Sequence, residues 1–325
     1  MPTTHRTTVP VRRPLVLCSA LAIAVSLLQG CSPVRSLTIQ NPDHSGSEIV
    51  QSNDNDQPRC STKPPSPDQR LAIERSFSAT EKTTALVARG AGAVTIRVHF
   101  HIIRSSSGDG GVSETTLRNQ VAVLNDAFAG RAPGGAGAPT PFRFELASVD
   151  ETTNDTFFSM EYNEAQPTQA EIQAKAQLNK GGIVALDIYT IRVRNRPFGW
   201  ARFPWDPVNV QGVVIDFRSL PGGTLPTYNE GDTATHEVGH WLGLFHTFEN
   251  GCNSRGDEVD DTPPELGPTT MCPPAPDSCT GNGRDSINNF MNFTNDRCMF
   301  QFTAGQARRM DRMHRLHRTE AVSRQ

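Results

Sequence analysis

The chain lacks an excess of charge of either sign, and it has few aromatic residues. Its 325 residues carry 31 Lys and Arg against 34 Asp and Glu, a formal net charge of −3, and only 7% of them are aromatic. There is no basic stripe interleaved with aromatic side chains, so nothing indicates nucleic-acid binding. There is no internal repeat either, and the length allows one large domain with appendages or two domains.

No apolar run in the sequence is long enough to be assigned as a membrane span. Residues 14–28 are mostly apolar, follow a start that carries three arginines, and lead into a Leu-Gln-Gly-Cys sequence ending at Cys31. This arrangement is typical of an export signal, and its end resembles a bacterial lipobox. We therefore predict a lipoprotein-type signal peptide over residues 1–31 with Cys31 lipidated. The protein would lie at the cell surface or outer membrane, touching the membrane only through the lipid; plain secretion is the alternative.

Residues 32–57 contain few large apolar side chains and many Ser, Asn, Asp and Gln. Such a segment cannot bury enough surface to offset the entropy lost on ordering, so we predict a flexible tether. Residues 58–92 then include Arg59-Cys60, a helical stretch over 67–84 and a region of small residues around Arg89-Gly90. The regular patterning within 93–320 indicates the main folded domain.

Strand and helix patterns alternate through this domain. Apolar residues at every second position from Val94 to Ile102 predict a strand, and we expect His99 and His101 to lie on its faces rather than to bind metal. Helical spacing over 114–129, after the candidate N-cap Ser113, predicts a helix. We predict further strands over 142–146, 183–193, 199–203 and 213–217, and helices over 168–180 and 304–317. This order predicts an α/β fold with a twisted, mostly parallel mixed sheet.

The last predicted helix carries many arginines. Their simplest interpretation is a solvated helix face, which has no functional role. The residues are Arg308, Arg309, Arg312, Arg315 and Arg318.

Residues 236–246 read His-Glu-Val-Gly-His-Trp-Leu-Gly-Leu-Phe-His, the pattern H-E-x-x-H-x-x-G-x-x-H. His236 and His240 are four residues apart, which places both imidazoles on one face of a helix. Gly243 can take a positive φ and turn the chain back, so that His246 supplies a third ligand. Three protein ligands leave a fourth position for water, as in catalytic rather than structural zinc sites. Glu237 can reach that water as general base.

Further motifs accompany the histidine pattern within residues 94–315. They are Phe203-Pro204-Trp205, Ser219-Leu220-Pro221-Gly222-Gly223, Tyr228-Asn229-Glu230-Gly231, Gly256-Asp257, Asp261-Thr262-Pro263 and Phe302-Thr303-Ala304-Gly305-Gln306. With the histidines, this region resembles the pappalysin family of metzincin zinc peptidases, in its bacterial and fungal branch. The resemblance implies that His236, His240 and His246 bind zinc and that Glu237 is the general base and acid.

The resemblance also implies a fold and a methionine turn. We expect a metzincin-type catalytic domain over 93–320, with the sheet and the metal helix in an N-terminal subdomain and a loop-rich, disulfide-stapled C-terminal subdomain. The strand near 199–203 would be the upper rim, against which a peptide substrate adds as an antiparallel strand. Met291 would be the Met-turn methionine. The family usually has Met-Asp-Tyr there, whereas this chain has Met291-Asn292-Phe293, and losing an oxyanion-stabilising hydroxyl typically costs ~10²–10³ in rate.

Four cysteines lie beyond the third histidine. Export implies an oxidising compartment, and four cysteines admit three pairings among which the sequence alone cannot choose. The family resemblance favours Cys252–Cys279 and Cys272–Cys298.

Acidic residues crowd the loop that follows Cys252. Oxygen-rich loops in exported proteins often hold calcium, and the resemblance implies calcium here too. The candidate ligands are Asp257, the Val259 carbonyl, Asp261 and Thr262. The alternative is a solvated acidic turn.

Cys60 has no obvious partner among the seven cysteines. A thiolate is an excellent ligand for the vacant position of a zinc ion held by three histidines. We therefore predict that residues 58–92 include a pro-segment and that Cys60 binds the zinc ion until cleavage near Arg89. The alternative is a free thiol, or a structural cysteine in a retained arm.

The sequence thus predicts a secreted or surface-anchored zinc metalloendopeptidase that cleaves a protein or peptide substrate with zinc-activated water and Glu237. One alternative is a catalytically weak or inactive zinc-binding surface protein, for which Phe293 is the only support. Another is a zinc hydrolase of small esters or amides. Asp296 and Arg297 are candidates for the pocket after the scissile bond, and their opposite charges leave its preference open. The oligomeric state also stays open.

Overall fold

The computed structural model describes residues 59–83, 90–163, 165–193, 197–253 and 255–319. The predicted signal peptide with Cys31, the tether and the cleavage position near Arg89 lie outside these residues. Within them, no helix is long and apolar enough to cross a membrane.

Five strands form one sheet in the order β2-β1-β3-β5-β4. They are β1 (Val94–Arg104), β2 (Phe142–Thr153), β3 (Leu186–Ile191), β4 (Gly199–Ala201) and β5 (Val213–Asp216). The first three and β5 run parallel, and β4 pairs antiparallel with β5 at the sheet edge. The predicted mixed sheet is therefore confirmed.

Six α-helices occur within the described residues. They are α1 (Pro67–Thr83), α2 (Glu114–Phe128), α3 (Asp155–Phe158), α4 (Gln169–Leu178), α5 (Asp232–Trp241) and α6 (Ala304–His317). The N-terminus of α2 is fixed by Ser113, whose side chain accepts a hydrogen bond from the Thr116 backbone N–H. This is the N-cap that the sequence predicts.

The sheet separates two apolar cores. Because side chains alternate across a strand, β1 contributes to both of them. Val98 and Phe100 pack in the core that α2 and α5 cover, whereas Ile103 packs in the core on the side of α3 and α4. The metal-motif helix α5 therefore lies on one face of the sheet, and α4 lies on the other.

The second face of β1 carries the two strand histidines. Buried His101 has Nδ1 2.9 Å from an Asp150 carboxylate oxygen and Nε2 2.9 Å from an Asp187 oxygen. His99 Nδ1 lies 2.7 Å from the Ser148 hydroxyl. These contacts join β1 to its two neighbours, as expected of strand residues.

Strand β3 is shorter than the predicted strand over 183–193. The Asp187 carboxylate accepts hydrogen bonds from the backbone N–H groups of Lys180 (2.9 Å) and Gly181 (3.1 Å). These bonds hold residues 181–184 in a turn, so the extended backbone begins only at Leu186.

The prediction of a solvated arginine face on α6 is wrong for two of its arginines. Arg309 is buried, and its guanidinium donates to the Gly243 carbonyl (2.9 Å) and to Glu74 of α1 (2.6 Å). Arg318 is also buried and lies 3.5 Å from the centre of the Trp241 ring. Long side chains can be buried when each donor finds a carbonyl, a carboxylate or an aromatic face.

Turns dominate from His246 to α6. Two disulfides join Cys252 to Cys279 and Cys272 to Cys298, with Cα–Cα distances of 5.3 and 6.0 Å. These are the pairs that the family resemblance implies. Each closes a loop in a region with little regular structure and contributes on the order of 2–4 kcal/mol to stability.

Candidate active site

Helix α5 ends where the histidine pattern requires a reversal. Gly243 has φ 94°, and a Cβ at this position would lie 2.6 Å from Cγ of Met313. A left-handed conformation and this close approach both demand glycine. The chain turns back here and brings His246 to the face of α5 that carries the other two histidines.

The backbone fixes how two of the histidines are protonated. His236 Nδ1 lies 2.6 Å from the Phe290 carbonyl and His240 Nδ1 lies 2.7 Å from the Leu244 carbonyl. A carbonyl only accepts, so each Nδ1 carries the proton and each Nε2 presents a lone pair. Burial lowers the pKa of all three imidazoles, that of His240 to about 4, which keeps them neutral.

The three Nε2 atoms converge. Those of His236 and His246 each lie 3.1 Å from that of His240. Lone pairs of His236 and His240 that face each other at this distance repel unless a cation lies between them. The residues therefore fit one shared metal ion, and neutral imidazole suits zinc.

Cys60 completes the same cluster. Its sulfur and the three histidine nitrogens all lie within 4.8 Å of one another, and its side chain is buried. Burial and the nearby Glu237 raise the pKa of the Cys60 thiol, so a thiolate here needs a neighbouring cation. The structure thus places the predicted switch cysteine beside the predicted zinc ligands.

The segment around Cys60 lies along the free edge of β4. Phe198 N–H donates to the Arg59 carbonyl (2.9 Å) and Ser61 N–H donates to the Gly199 carbonyl (3.2 Å). The pairing between Cys60 and Gly199 is parallel. The segment therefore covers the strand that the sequence predicts to bind substrate.

Glu237 is buried beside this segment. Its Oε2 accepts a hydrogen bond from the Thr62 hydroxyl (2.9 Å), and that hydroxyl accepts one from the Ala201 N–H (2.8 Å). Its Oε1 has no hydrogen-bond partner among the described residues. Burial raises the pKa of Glu237 to about 8. Sequence reasoning missed Thr62, and the only available signal was its position two residues after Cys60.

The predicted Met-turn packs against the helix that carries two of the histidines. Met291 is fully buried, and a Cβ on Gly239 of α5 would collide with its sulfur. The Phe293 ring meets that of His246 edge-on at 5.0 Å between centroids. The departure from the family pattern therefore lies directly against a candidate metal ligand.

A buried charge pair fills the pocket next to the histidines. The Arg59 guanidinium forms an ion pair with Asp296, donates to the Thr294 carbonyl (2.9 Å) and lies 4.9 Å from the Tyr228 ring centre. Asp296 is buried, whereas Arg297 is exposed. Of the two candidates for this pocket, Asp296 is the one that contacts Arg59.

The predicted calcium ligands divide into two groups. Asp257 and the Val259 carbonyl share the Thr262 hydroxyl, and Oδ2 of Asp257 has no hydrogen-bond partner in the described part of the chain. Burial raises the pKa of Asp257 to about 8. The Asp261 carboxylate instead accepts from the Thr303 hydroxyl and the Gly305 N–H, both at 2.7 Å, at the start of α6. Asp257 thus offers an orphaned buried oxygen that suits a cation, and Asp261 does not.

This chain is similar to known metalloproteases. The family model described as Pregnancy-associated plasma protein-A, peptidase M43, matches residues 216–315. Extracellular metalloprotease 1 of Coccidioides posadasii is 38% identical over 255 residues, which cover 74% of this chain and 86% of that protein. An extracellular metalloprotease of Sordaria macrospora is 35% identical over 275 residues, which cover 81% of this chain and 90% of that protein.

Solved structures show the same architecture. Mature mirolysin of Tannerella forsythia, in complex with a cleaved peptide, is 26% identical with a TM-score of 0.57, covering 68% of this chain and 91% of its own. A promirolysin mutant matches with a TM-score of 0.63 at 23% identity, covering 77% of this chain and 89% of its own, which shows the fold.

A metzincin fold that carries this histidine pattern defines a metalloprotease, a hydrolase of peptide bonds. The chain belongs to the peptidase M43 family, the pappalysins. That family implies a catalytic zinc ion, and the residues that would hold it are His236, His240 and His246.

Proposed function

We propose that the chain is an exported zinc metalloendopeptidase in which Glu237 is the general base and acid. The observation that carries this proposal is the position of Glu237, buried next to three convergent imidazole nitrogens with one carboxylate oxygen unpartnered among the described residues. The relatives named extracellular metalloproteases support export. A lipid anchor at Cys31 is part of the proposal and lies outside the described residues.

Zinc, when bound by the three histidines, supplies a Lewis acid that acidifies water and stabilises charge on the substrate carbonyl oxygen. Glu237 then takes a proton from the attacking water and passes it to the leaving amine. The raised pKa of Glu237 belongs to the form in which the Cys60 segment covers it, and a cation held by the neighbouring imidazoles would favour the carboxylate, so that Glu237 can begin the reaction as a base. The backbone carbonyls at Nδ1 keep the imidazoles oriented throughout.

The free edge of β4 is the proposed binding strand for substrate. The Ala201 N–H and the Gly199 carbonyl, which a substrate strand would use, are occupied by Thr62 and Ser61. A substrate adds antiparallel, whereas the segment around Cys60 runs parallel to β4. The segment therefore lies in the reverse direction to a substrate, a placement that blocks the cleft and protects the segment from cleavage there.

The direction of the Cys60 segment also indicates which substrate residue would enter the pocket that contains Asp296. Arg59 precedes Cys60 and so lies where the first residue of a substrate after the scissile bond would lie, which places its side chain in the pocket for that residue. Its partner there is the buried Asp296. We infer that the mature enzyme prefers a basic side chain at this position, because a buried carboxylate needs a cation.

The same segment also accounts for the proposed latency. Cys60 lies beside the metal site, the Thr62 hydroxyl donates a hydrogen bond to Glu237, and Arg59 fills the pocket that contains Asp296. We propose that residues 58–92 act as a pro-segment until cleavage near Arg89.

Casein hydrolysis and cleavage-site profiling by the matured protein test the proposed function. We expect activity that a chelator removes and zinc restores, loss of at least about 10³-fold in Glu237→Ala, and cleavage before Arg or Lys. Glu114→Gln, on the exposed face of α2, is the matched control and should keep full activity.

The second candidate function is an inactive zinc-binding surface protein, which the Phe293 ring against His246 favours. Wild type and Glu237→Ala that bind zinc equally and are equally inert would establish it and exclude the enzyme.

A further inference from the structure

Strand β4 is three residues long, lies at the sheet edge and pairs with one strand of the described sheet, β5. Backbone pairing alone holds so short an edge strand weakly. In the proposed function, this strand aligns the substrate with the metal, so its position must be fixed by other contacts.

On the active-site side, β4 lies directly against the metal-motif helix. A Cβ on Gly199 would lie 3.0 Å from Cγ of Glu237 and 3.2 Å from Cγ2 of Thr233. Glycine allows this approach, which sets the distance between the substrate edge and the general base. A displaced β4 would have to return to this position when a peptide pairs with it, which weakens binding of the peptide and raises KM.

On the opposite side of the sheet, one buried carboxylate holds the middle residue of β4 and the residue that follows the strand. Glu171 of α4 accepts a hydrogen bond from the Trp200 indole N–H (3.1 Å) and two from the Arg202 guanidinium (3.1 and 2.5 Å). Trp200 and Arg202 are alternate residues, so both side chains point to the face that α4 covers. Ala201, between them, keeps its N–H on the free edge.

A third donor balances the charge of this carboxylate. Lys175 Nζ, also buried, lies 2.7 Å from Glu171 Oε1 and 2.7 Å from the Val210 carbonyl. Burial opposes the charge of Glu171, but Lys175 and Arg202 more than offset this effect and hold its pKa at about 2. The carboxylate is therefore charged at neutral pH, and its bonds to Trp200 and Arg202 are charge-assisted.

We propose that Glu171 is a positioning residue for catalysis, which holds the upper-rim strand β4 in place through Trp200 and Arg202. This proposal rests on the proposed function, because β4 matters for catalysis only if it binds substrate. Glu171 does not touch the metal site, so its removal should weaken alignment of the peptide without changing zinc binding. Binding of the substrate residues that pair with β4 should be weakened, and binding of the other substrate residues should be unchanged.

The test compares two substrates of the full-length chain after it has been matured by limited proteolysis. One peptide extends several residues before the scissile bond and can pair with β4, and the other is acetylated at the residue just before that bond. For Glu171→Gln, we expect KM for the long peptide to rise about tenfold, with kcat changed by less than about twofold. The short peptide and the zinc content should be unchanged, and Glu114→Gln should match wild type.

Trp200→Phe is the second variant, because Glu171→Gln leaves Lys175 and Arg202 without a carboxylate and can unfold the chain. It removes one donor to Glu171 and no charge, and we expect KM for the long peptide to rise about threefold. A folded Trp200→Phe with wild-type KM for both peptides would overturn the proposal. Equal losses on both peptides in both variants would also overturn it, since they would indicate a structural role alone. If wild type cleaves neither peptide, the proposed function itself fails.

Discussion

Among single residues, the hydrogen bonds of Asn292 explain why asparagine replaces the family's usual aspartate in the predicted Met-turn. Its amide N–H donates to Oε2 of buried Glu265 (2.8 Å), and its carbonyl oxygen accepts from the backbone N–H groups of Thr269 (3.0 Å) and Phe293 (2.8 Å). An aspartate at this position would have no donor for Glu265 and would place two carboxylates in contact. Asparagine is thus matched to Glu265, and the turn keeps its hydrogen bonds.

Glu265 also predicts a pH dependence of stability. Burial, together with nearby Asp285, raises its pKa to about 7, whereas an unfolded glutamate titrates near ~4.3. Between these values the folded state keeps a proton that the unfolded state loses. This carboxyl should therefore contribute a decrease of roughly 3 kcal/mol in the free energy of unfolding as pH rises through this window.

Denaturant unfolding of wild type and Glu265→Gln between pH 4 and 8 measures this effect. Glutamine cannot ionise, so the decrease in the variant should be smaller than in wild type by the contribution of this one carboxyl, while the exposed Glu114→Gln should match wild type. Parallel stability curves for wild type and Glu265→Gln would show that the carboxyl does not titrate in this range.

Among the secondary-structure elements, sequence periodicity predicted those whose conformation is determined by residues close together in the chain. The strand from Val94 and the helix after Ser113 follow from their own patterns, and the spacing of the histidines follows from one helix and one glycine. The contacts of Thr62 with Glu237 and of Glu171 with Trp200 join residues 175 and 29 positions apart, and no local pattern encodes them. The strand over 183–193 was overestimated because Asp187 takes the backbone N–H groups of the residues before it.

The loop that contains Asp257 is the element for which we propose calcium. The orphaned Oδ2 of Asp257 should gain a partner when the ion binds, and the melting temperature should then rise by several degrees with millimolar calcium after chelation. Differential scanning fluorimetry of zinc-loaded protein measures the shift. Asp257→Asn should lose the shift. Asp261→Asn should retain most of the shift, because the Asp261 carboxylate instead accepts a hydrogen bond from the Gly305 N–H at the start of α6. An unchanged melting temperature in wild type would leave only an acidic turn.

At the scale of the whole molecule, the N-terminal segment contacts both parts of the cleft. Residues 59–62 reach the metal cluster, Glu237, the Asp296 pocket and β4. Helix α1 adds ion pairs from Arg70 to Glu249 (3.4 Å) and from Glu74 to Arg309 (2.6 Å). These charge pairs hold the segment across the cleft, which explains why an arginine of α6 is buried rather than solvated.

We propose that one site both hydrolyses peptides and is held latent by Cys60. The decisive experiment measures the initial rate of casein cleavage by residues 58–325, together with the zinc content of the protein. We expect a lag in wild type that limited proteolysis shortens, immediate cleavage by Cys60→Ala, and no cleavage by Cys60→Ala/Glu237→Ala, all with one zinc ion bound. Equal immediate cleavage by wild type and Cys60→Ala would remove the latency. Cleavage that survives in the double variant would contradict the assignment of Glu237 and, with it, the proposed catalytic site.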